Sequence, residues 1–79
     1  MSIRVYTKSN CPNCMAAKLT LKMKGYEFEE TSLDDKENWI EFSLNYPEIK
    51  QMPQIFIHGQ RVGGLAGLQQ ALKQLEKTE

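Results

Sequence analysis

Ser9-Asn10-Cys11-Pro12-Asn13-Cys14 follows the alternating run Ile3-Arg4-Val5-Tyr6-Thr7 and opens a long amphipathic stretch that reaches Lys24. Both cysteines of the chain lie within these six residues. The alternation, with β-branched residues in it, predicts a first strand that delivers the chain to the cysteines. Beyond Cys11 the period becomes helical. Met15, Leu19 and Met23 recur four apart, with Ala16 and Leu21 widening the stripe and Lys18, Lys22 and Lys24 turned to water. The methionine stripe is expected to pack in the core. Asn10 suits the N-cap, Pro12 an early helical position where its missing N–H costs nothing, and Gly25 the C-cap.

Two thiols at i and i+3 on a first helical turn share a face and are close enough to close a small disulfide ring. Closing so short a loop stabilises by only about 2 kcal/mol on the chain-entropy estimate, so the pair is a poor staple and is better explained by redox chemistry. Free N–H groups and the helix dipole at this end favour negative charge, and Lys8 adds to it. Cys11 is therefore expected to be an acidified, attacking thiolate, and Cys14, one turn further in, the resolving thiol.

The rest of the chain supplies a frame. Tyr26-Glu27-Phe28-Glu29 alternates and predicts a second strand running toward Leu33, with a break in phase at Glu30-Thr31 that a bulge or an early strand end would explain. Asp34 with Glu37 reads as a capping box for a second helix carrying Trp39, Ile40, Phe42, Leu44 and Tyr46, which stops before Pro47. Gln54-Ile55-Phe56-Ile57 reads as a central strand, His58-Gly59-Gln60 as a hairpin turn into a short strand, and Leu65 to Lys77 as a last helix burying Leu68, Leu72 and Leu75. The order β-α-β-α-β-β-α predicts an α/β fold, a four-stranded mixed sheet with helices on both faces.

Seventy-nine residues predict one domain, 1–79, near the lower size limit for a core without staples. Ten basic against ten acidic residues argue against a nucleic-acid partner. No apolar run approaches a membrane span, and no signal-peptide core opens the chain, so a cytoplasmic setting is expected. In a reducing compartment a lone Cys-x-x-Cys is catalytic or metal-binding rather than structural. Zinc needs four ligands, and two cysteines with a distant His58 do not supply them, so no metal site is expected within one chain. Pro53, just before a central strand, belongs at the strand entrance, where a cis bond would leave the backbone of Met52 free to pair with an extended ligand.

Val5-Tyr6-Thr7-Lys8 leading into Cys11-Pro12-Asn13-Cys14, then Met52-Pro53-Gln54-Ile55-Phe56-Ile57, then Val62-Gly63-Gly64 resemble the glutaredoxin family of the thioredoxin fold, over nearly the whole chain. Its shortness and the Met-Pro-Gln entry are similar to short phage and bacterial glutaredoxins, of which the phage-encoded ones donate to ribonucleotide reductase. The resemblance implies a thiol-disulfide oxidoreductase, expected to be monomeric, with glutathione as co-substrate and no tightly bound cofactor. Its substrates would be protein disulfides or glutathione mixed disulfides. It further implies that Pro53 is cis and faces the cysteines, that Lys8 holds a glutathione carboxylate and that the Met52 backbone pairs with its cysteinyl unit. Gly63 and Gly64 would let the ligand approach, and N–H groups opening the last helix at Leu65 would receive the γ-glutamyl end. Two departures stand out. Asn13 replaces the tyrosine that walls the groove in many members, and Leu65-Ala66-Gly67 replaces a Thr-Asp or similar polar pair. The second leaves open a redoxin served by thioredoxin reductase. A separate alternative is a carrier in which two chains and glutathione hold a [2Fe–2S] cluster through Cys11, against which the stiff Pro12 argues.

Overall fold

In the computed structural model residues 2–77 are described; Met1, Thr78 and Glu79 of the expected 1–79 domain lie outside them. The elements are β1 (Ile3–Thr7), α1 (Pro12–Met23), β2 (Glu29–Ser32), α2 (Lys36–Asn45), β3 (Gln54–Ile57), β4 (Gln60–Gly63) and α3 (Leu65–Lys77), in the expected order. The sheet runs β2-β1-β3-β4. β1 pairs parallel with β2 and antiparallel with β3, and β3 turns back into β4. His58 and Gly59 both have positive φ in that hairpin turn, as a two-residue loop matched to strand twist requires.

Strand alternation sorts the side chains into two layers. Ile3 and Val5 of β1 stand opposite Ile57 and Ile55 of β3, and this face is covered by Ala17 and Leu21 of α1 and Leu68 and Leu72 of α3. Tyr6 and Phe56 point the other way and stack with Phe42 and Tyr46 of α2 at ring-centroid distances of 4.9 to 5.6 Å. The fold is thus a mixed sheet with α1 and α3 on one face and α2 on the other.

Several local expectations are corrected. The buried face of α1 is Cys14, Ala17 and Leu21, while Met15, Leu19 and Met23 are 69%, 57% and 78% exposed. Both sets have helical spacing; the small Cys14 and Ala17 let the helix axis come close to the sheet, and that selects their face. Lys18 is half-buried rather than turned to water, bound 3.0 Å from Glu30. On α2 only Phe42 is buried, and Trp39, Ile40 and Leu44 are exposed. Asp35, not Asp34, caps α2, accepting from the N–H groups of Glu37 and Asn38. The Asp34 carboxylate instead accepts from Ser9 N–H and the Ser9 hydroxyl, tying the entrance of α1 to the end of β2. β2 begins only at Glu29, because the chain first returns from α1 through Tyr26, whose N–H donates to Leu21 O. Glu29 and Glu30 of β2 are engaged by Arg4 and by Lys18 with Thr7, respectively.

Candidate active site

The first turn of α1 and the loop before β3 build the site. Asn10 sits at φ +55°, in the left-handed region that asparagine tolerates, and Cys11 takes the N-cap in extended conformation. Asn10 is therefore not the cap. A cysteine at this position aims its own sulfur at the open end of the helix: Cys14 N–H donates to Cys11 Sγ at 3.2 Å and to Cys11 O at 3.1 Å. Pro12 occupies N1, where no donor is missed.

Cys11 and Cys14 are joined in a disulfide, with Cα atoms 5.2 Å apart. Cys14 is 2% exposed and Cys11 8%, so Cys11 is the less buried residue of the pair. Behind it, the Met52–Pro53 peptide is cis. The Met52 carbonyl oxygen lies 3.6 Å from Cys11 Sγ, within reach of an S–H donor once the cysteine is reduced. Pro53 is buried, Met52 half-buried, and Lys8 and Asn13 are exposed on the approaches to the disulfide along the chain.

The Gly63-Gly64 segment meets Pro53. Gly63 has φ +102°, which excludes a side chain on conformational grounds. Gly64 has no such constraint, and a Cβ there would meet only Pro53 O, at 3.5 Å. Leu65 opens α3 and packs half-buried against the core. Gly67 is a residue that sequence reasoning left without a structural role. A Cβ at this position would overlap the Val62 carbonyl oxygen and stand 2.9 Å from the Val62 carbonyl carbon. The first turn of α3 thus rests directly on the β4 backbone, and this excludes an acidic residue from position 67. The signal in the sequence was a glycine inside a helical run, which marks a close approach.

At the end of β1, Thr7 is buried and its hydroxyl donates to Glu30 at 2.7 Å, while Lys18 Nζ donates to the same carboxylate oxygen. The hydrogen bond from Thr7, and next to it that from Lys18, hold the Glu30 carboxyl below its ordinary range. Among the described residues no helix is long and apolar enough to cross a membrane.

Comparison with known proteins agrees with this geometry. The family model for glutaredoxin matches residues 3–62. A probable glutaredoxin of Synechocystis is 43% identical over 63 residues, covering 78% of this chain and 72% of its own length. Glutaredoxin 3 of Escherichia coli is 36% identical over 63 residues, with 80% and 76% covered. Among solved structures, that of glutaredoxin 1 from Francisella tularensis complexed with cacodylate superposes with a TM-score of 0.79 at 28% identity, covering 96% of each chain. The β-α-β-α-β-β-α sheet, the Cys11–Cys14 disulfide and these matches place the chain in the glutaredoxin family, as a thiol-disulfide oxidoreductase with a redox-active cysteine pair.

Proposed function

We propose that the chain is a glutathione-dependent dithiol reductant of protein disulfides and glutathione mixed disulfides, working as a single chain in the cytoplasm, with ribonucleotide reductase among the disulfide proteins it serves. The observation that carries the glutathione reading is the glycine at 64. The fold requires glycine at 63 and 67 but leaves room for a side chain at 64, beside Pro53 O. A ligand lying between Pro53 and the start of α3 accounts for a bare backbone there.

The steps follow from the placement of the sulfurs. In the reduced protein the Cys14 N–H stabilises a thiolate on Cys11. That thiolate attacks one sulfur of a substrate disulfide; the Cys11 S–S bond forms as the substrate S–S bond breaks, and the second substrate sulfur leaves as thiolate. Cys14 then attacks Cys11 Sγ, releases the substrate thiol and closes the Cys11–Cys14 disulfide. Two glutathione thiols reverse this: the first opens the protein disulfide at Cys11, the second attacks the mixed disulfide and leaves oxidised glutathione. In this reading the Met52 backbone pairs with the cysteinyl unit of the tripeptide and Lys8 with a carboxylate. Asn13 flanks the groove, Gly63 and Gly64 admit the ligand, and the N–H groups of the turn opened by Leu65 take the γ-glutamyl carboxylate. Gly64 at the cap has no side chain to occupy those donors.

The deciding measurement compares reduction of the Cys11–Cys14 disulfide by glutathione with glutathione reductase against NADPH with thioredoxin reductase. Fast reduction by glutathione is expected. Reduction by thioredoxin reductase alone would replace this reading with a redoxin, which the missing acidic residue near Gly67 favours. Cys11→Ser is expected to abolish turnover, whereas Cys14→Ser keeps turnover of glutathione mixed disulfides and loses the dithiol route; a fully active Cys11→Ser protein overturns the assignment.

A further inference from the structure

Gln54 opens β3 and is 7% exposed, a side-chain amide buried with donors and an acceptor to satisfy. Its Nε2 donates to Gln51 O at 2.9 Å, and its Oε1 accepts from Arg61 Nη1 of β4 at 3.4 Å. Arginine can only donate and a carbonyl can only accept, so the two partners fix which end of the amide faces which. Gln51 O belongs to the peptide unit whose other half is the Met52 N–H, and that peptide is trans. In a planar trans peptide the C=O and N–H point in opposite directions, so holding the oxygen toward the buried amide turns the N–H away from it. Among the described residues that N–H has no partner. The Met52 carbonyl oxygen lies 3.6 Å from Cys11 Sγ. A residue before proline is pushed toward extended backbone, in which its N–H and C=O face the same side.

We infer that Gln54, held by Arg61, is a positioning residue for the reaction: it turns the Met52 N–H toward the Cys11 side, where that N–H donates to the cysteinyl carbonyl of an extended disulfide substrate. The Met52 carbonyl accepts from the cysteinyl N–H of the same residue, as in a hydrogen-bonded pair of antiparallel strands. Gln54 touches no substrate and acts through Met52. A glutamine that had only to satisfy itself could be exchanged, together with its partners, for apolar groups at little cost. Here its bond runs to the one carbonyl that sets the direction of an unpartnered N–H beside the cysteine pair. The amide is held from both ends, because losing either bond leaves a buried polar group unsatisfied. The inference rests on the reading above that a substrate chain pairs with the Met52 backbone. It applies to glutathione and protein disulfides alike, since both present a cysteinyl amide, and it holds whichever reductant supplies the electrons.

The test uses fully reduced protein in single turnover with three 2-thiopyridyl disulfides. One carries N-acetylcysteine methylamide, which offers a cysteinyl amide pair and no carboxylate; one carries glutathione; the third is 2,2′-dithiodipyridine, which has no amide to pair. In each, the Cys11 thiolate forms the new S–S bond as thiopyridone leaves, and thiopyridone release is followed. The readout is the rate on a cysteinyl probe divided by the rate on dithiodipyridine, which cancels any change in the thiolate itself. Gln54→Met has similar length and no donor; Gln54→Glu keeps the Arg61 partner and loses the donor. Both are expected to lower the ratio about tenfold on both cysteinyl probes, equivalent to about 1.4 kcal/mol. A ratio within about twofold of the parent in either variant overturns the inference: unchanged in both, Gln54 is only a satisfied amide; lowered in Gln54→Glu alone, the added charge is the cause. Arg61→Ala, which leaves Gln54 in place and frees its amide to turn, is expected to lower the ratio about threefold. Should neither variant at 54 fold, a parent-like ratio in Arg61→Ala overturns the inference. A parent protein that reacts no faster with the glutathione probe than with the N-acetylcysteine one counts against the glutathione reading alone, because the Gln54 ratio is also read on a probe without γ-glutamyl or glycyl ends.

Discussion

Replacing Gly67 with alanine should destabilise the fold, even though alanine is the better helix former. The added Cβ would overlap Val62 O and stand 2.9 Å from the Val62 carbonyl carbon, against about 3.5 Å or more for a relaxed carbon–carbon contact. Both obstructing atoms are backbone in β4, so no rotamer change relieves them, and the first turn of α3 must withdraw by at least about 0.6 Å. Overpacking of this kind costs about 1 to 3 kcal/mol, and an unyielding backbone puts this site toward the upper end. The helix-propensity gain offsets up to about 1 kcal/mol. The net expectation is a loss of about 2 kcal/mol, or a fall in Tm of about 8 to 16 °C for a domain of this size. Urea unfolding of the oxidised protein, with Gly64→Ala as the control, measures it. Gly64→Ala should cost less, at most about 1 kcal/mol, from the poorer N-cap alone. A Gly67→Ala protein as stable as the parent would refute the contact between α3 and β4 as the reason for glycine at 67.

Other consequences are equally accessible. Gly64→Ala, little destabilised, should still slow reduction by glutathione severalfold while leaving the rate on 2,2′-dithiodipyridine unchanged; an unchanged glutathione rate would mean that no ligand lies beside Pro53 O. Leu21→Ala should cost about 2 to 5 kcal/mol by emptying a fully buried site, whereas Leu19→Ala, two positions away and exposed, should stay within about 0.5 kcal/mol in the same denaturation assay. Equal effects would return the Met15–Leu19–Met23 stripe to the core. Glu30→Gln tests the Thr7–Glu30–Lys18 network through its pH dependence. Because the folded-state carboxyl is held below its ordinary value of 4.5, its contribution is fully present above that value and lost as pH falls through the lower folded one. The parent should therefore exceed the variant by less than about 1 kcal/mol near neutrality, the group being partly solvated, and the gap should close in acid. A gap that is constant with pH would show that the ionised carboxylate is not what stabilises.

The local signals in the sequence were enough for the element order. Alternation in Ile3 to Thr7, the glycine-punctuated hairpin at His58-Gly59 and the leucines of α3 each report on contacts made within a few residues, and all three elements lie where those patterns put them. The cysteine pair was legible for the same reason, since its spacing alone brings the two sulfurs onto one turn. Which face of α1 is buried depended on the sheet. Two apolar stripes of equal period run along that helix, and side-chain hydrophobicity favours the methionine one, but close packing against Val5 and Ile55 admits only the narrower face of Cys14, Ala17 and Leu21. The caps were decided the same way. Asn10 and Asp34 have the right chemistry, yet the entry of the chain from β1 forces Asn10 into the left-handed region, and Ser9 claims the Asp34 carboxylate. Gly67 faces a backbone carbonyl contributed by another element, and Met52 O comes beside Cys11 Sγ from 41 residues away. Periodicity and spacing report on neighbours along the chain; contacts between elements exist only once the sheet and helices have packed, and those contacts shape the surface around the cysteine pair.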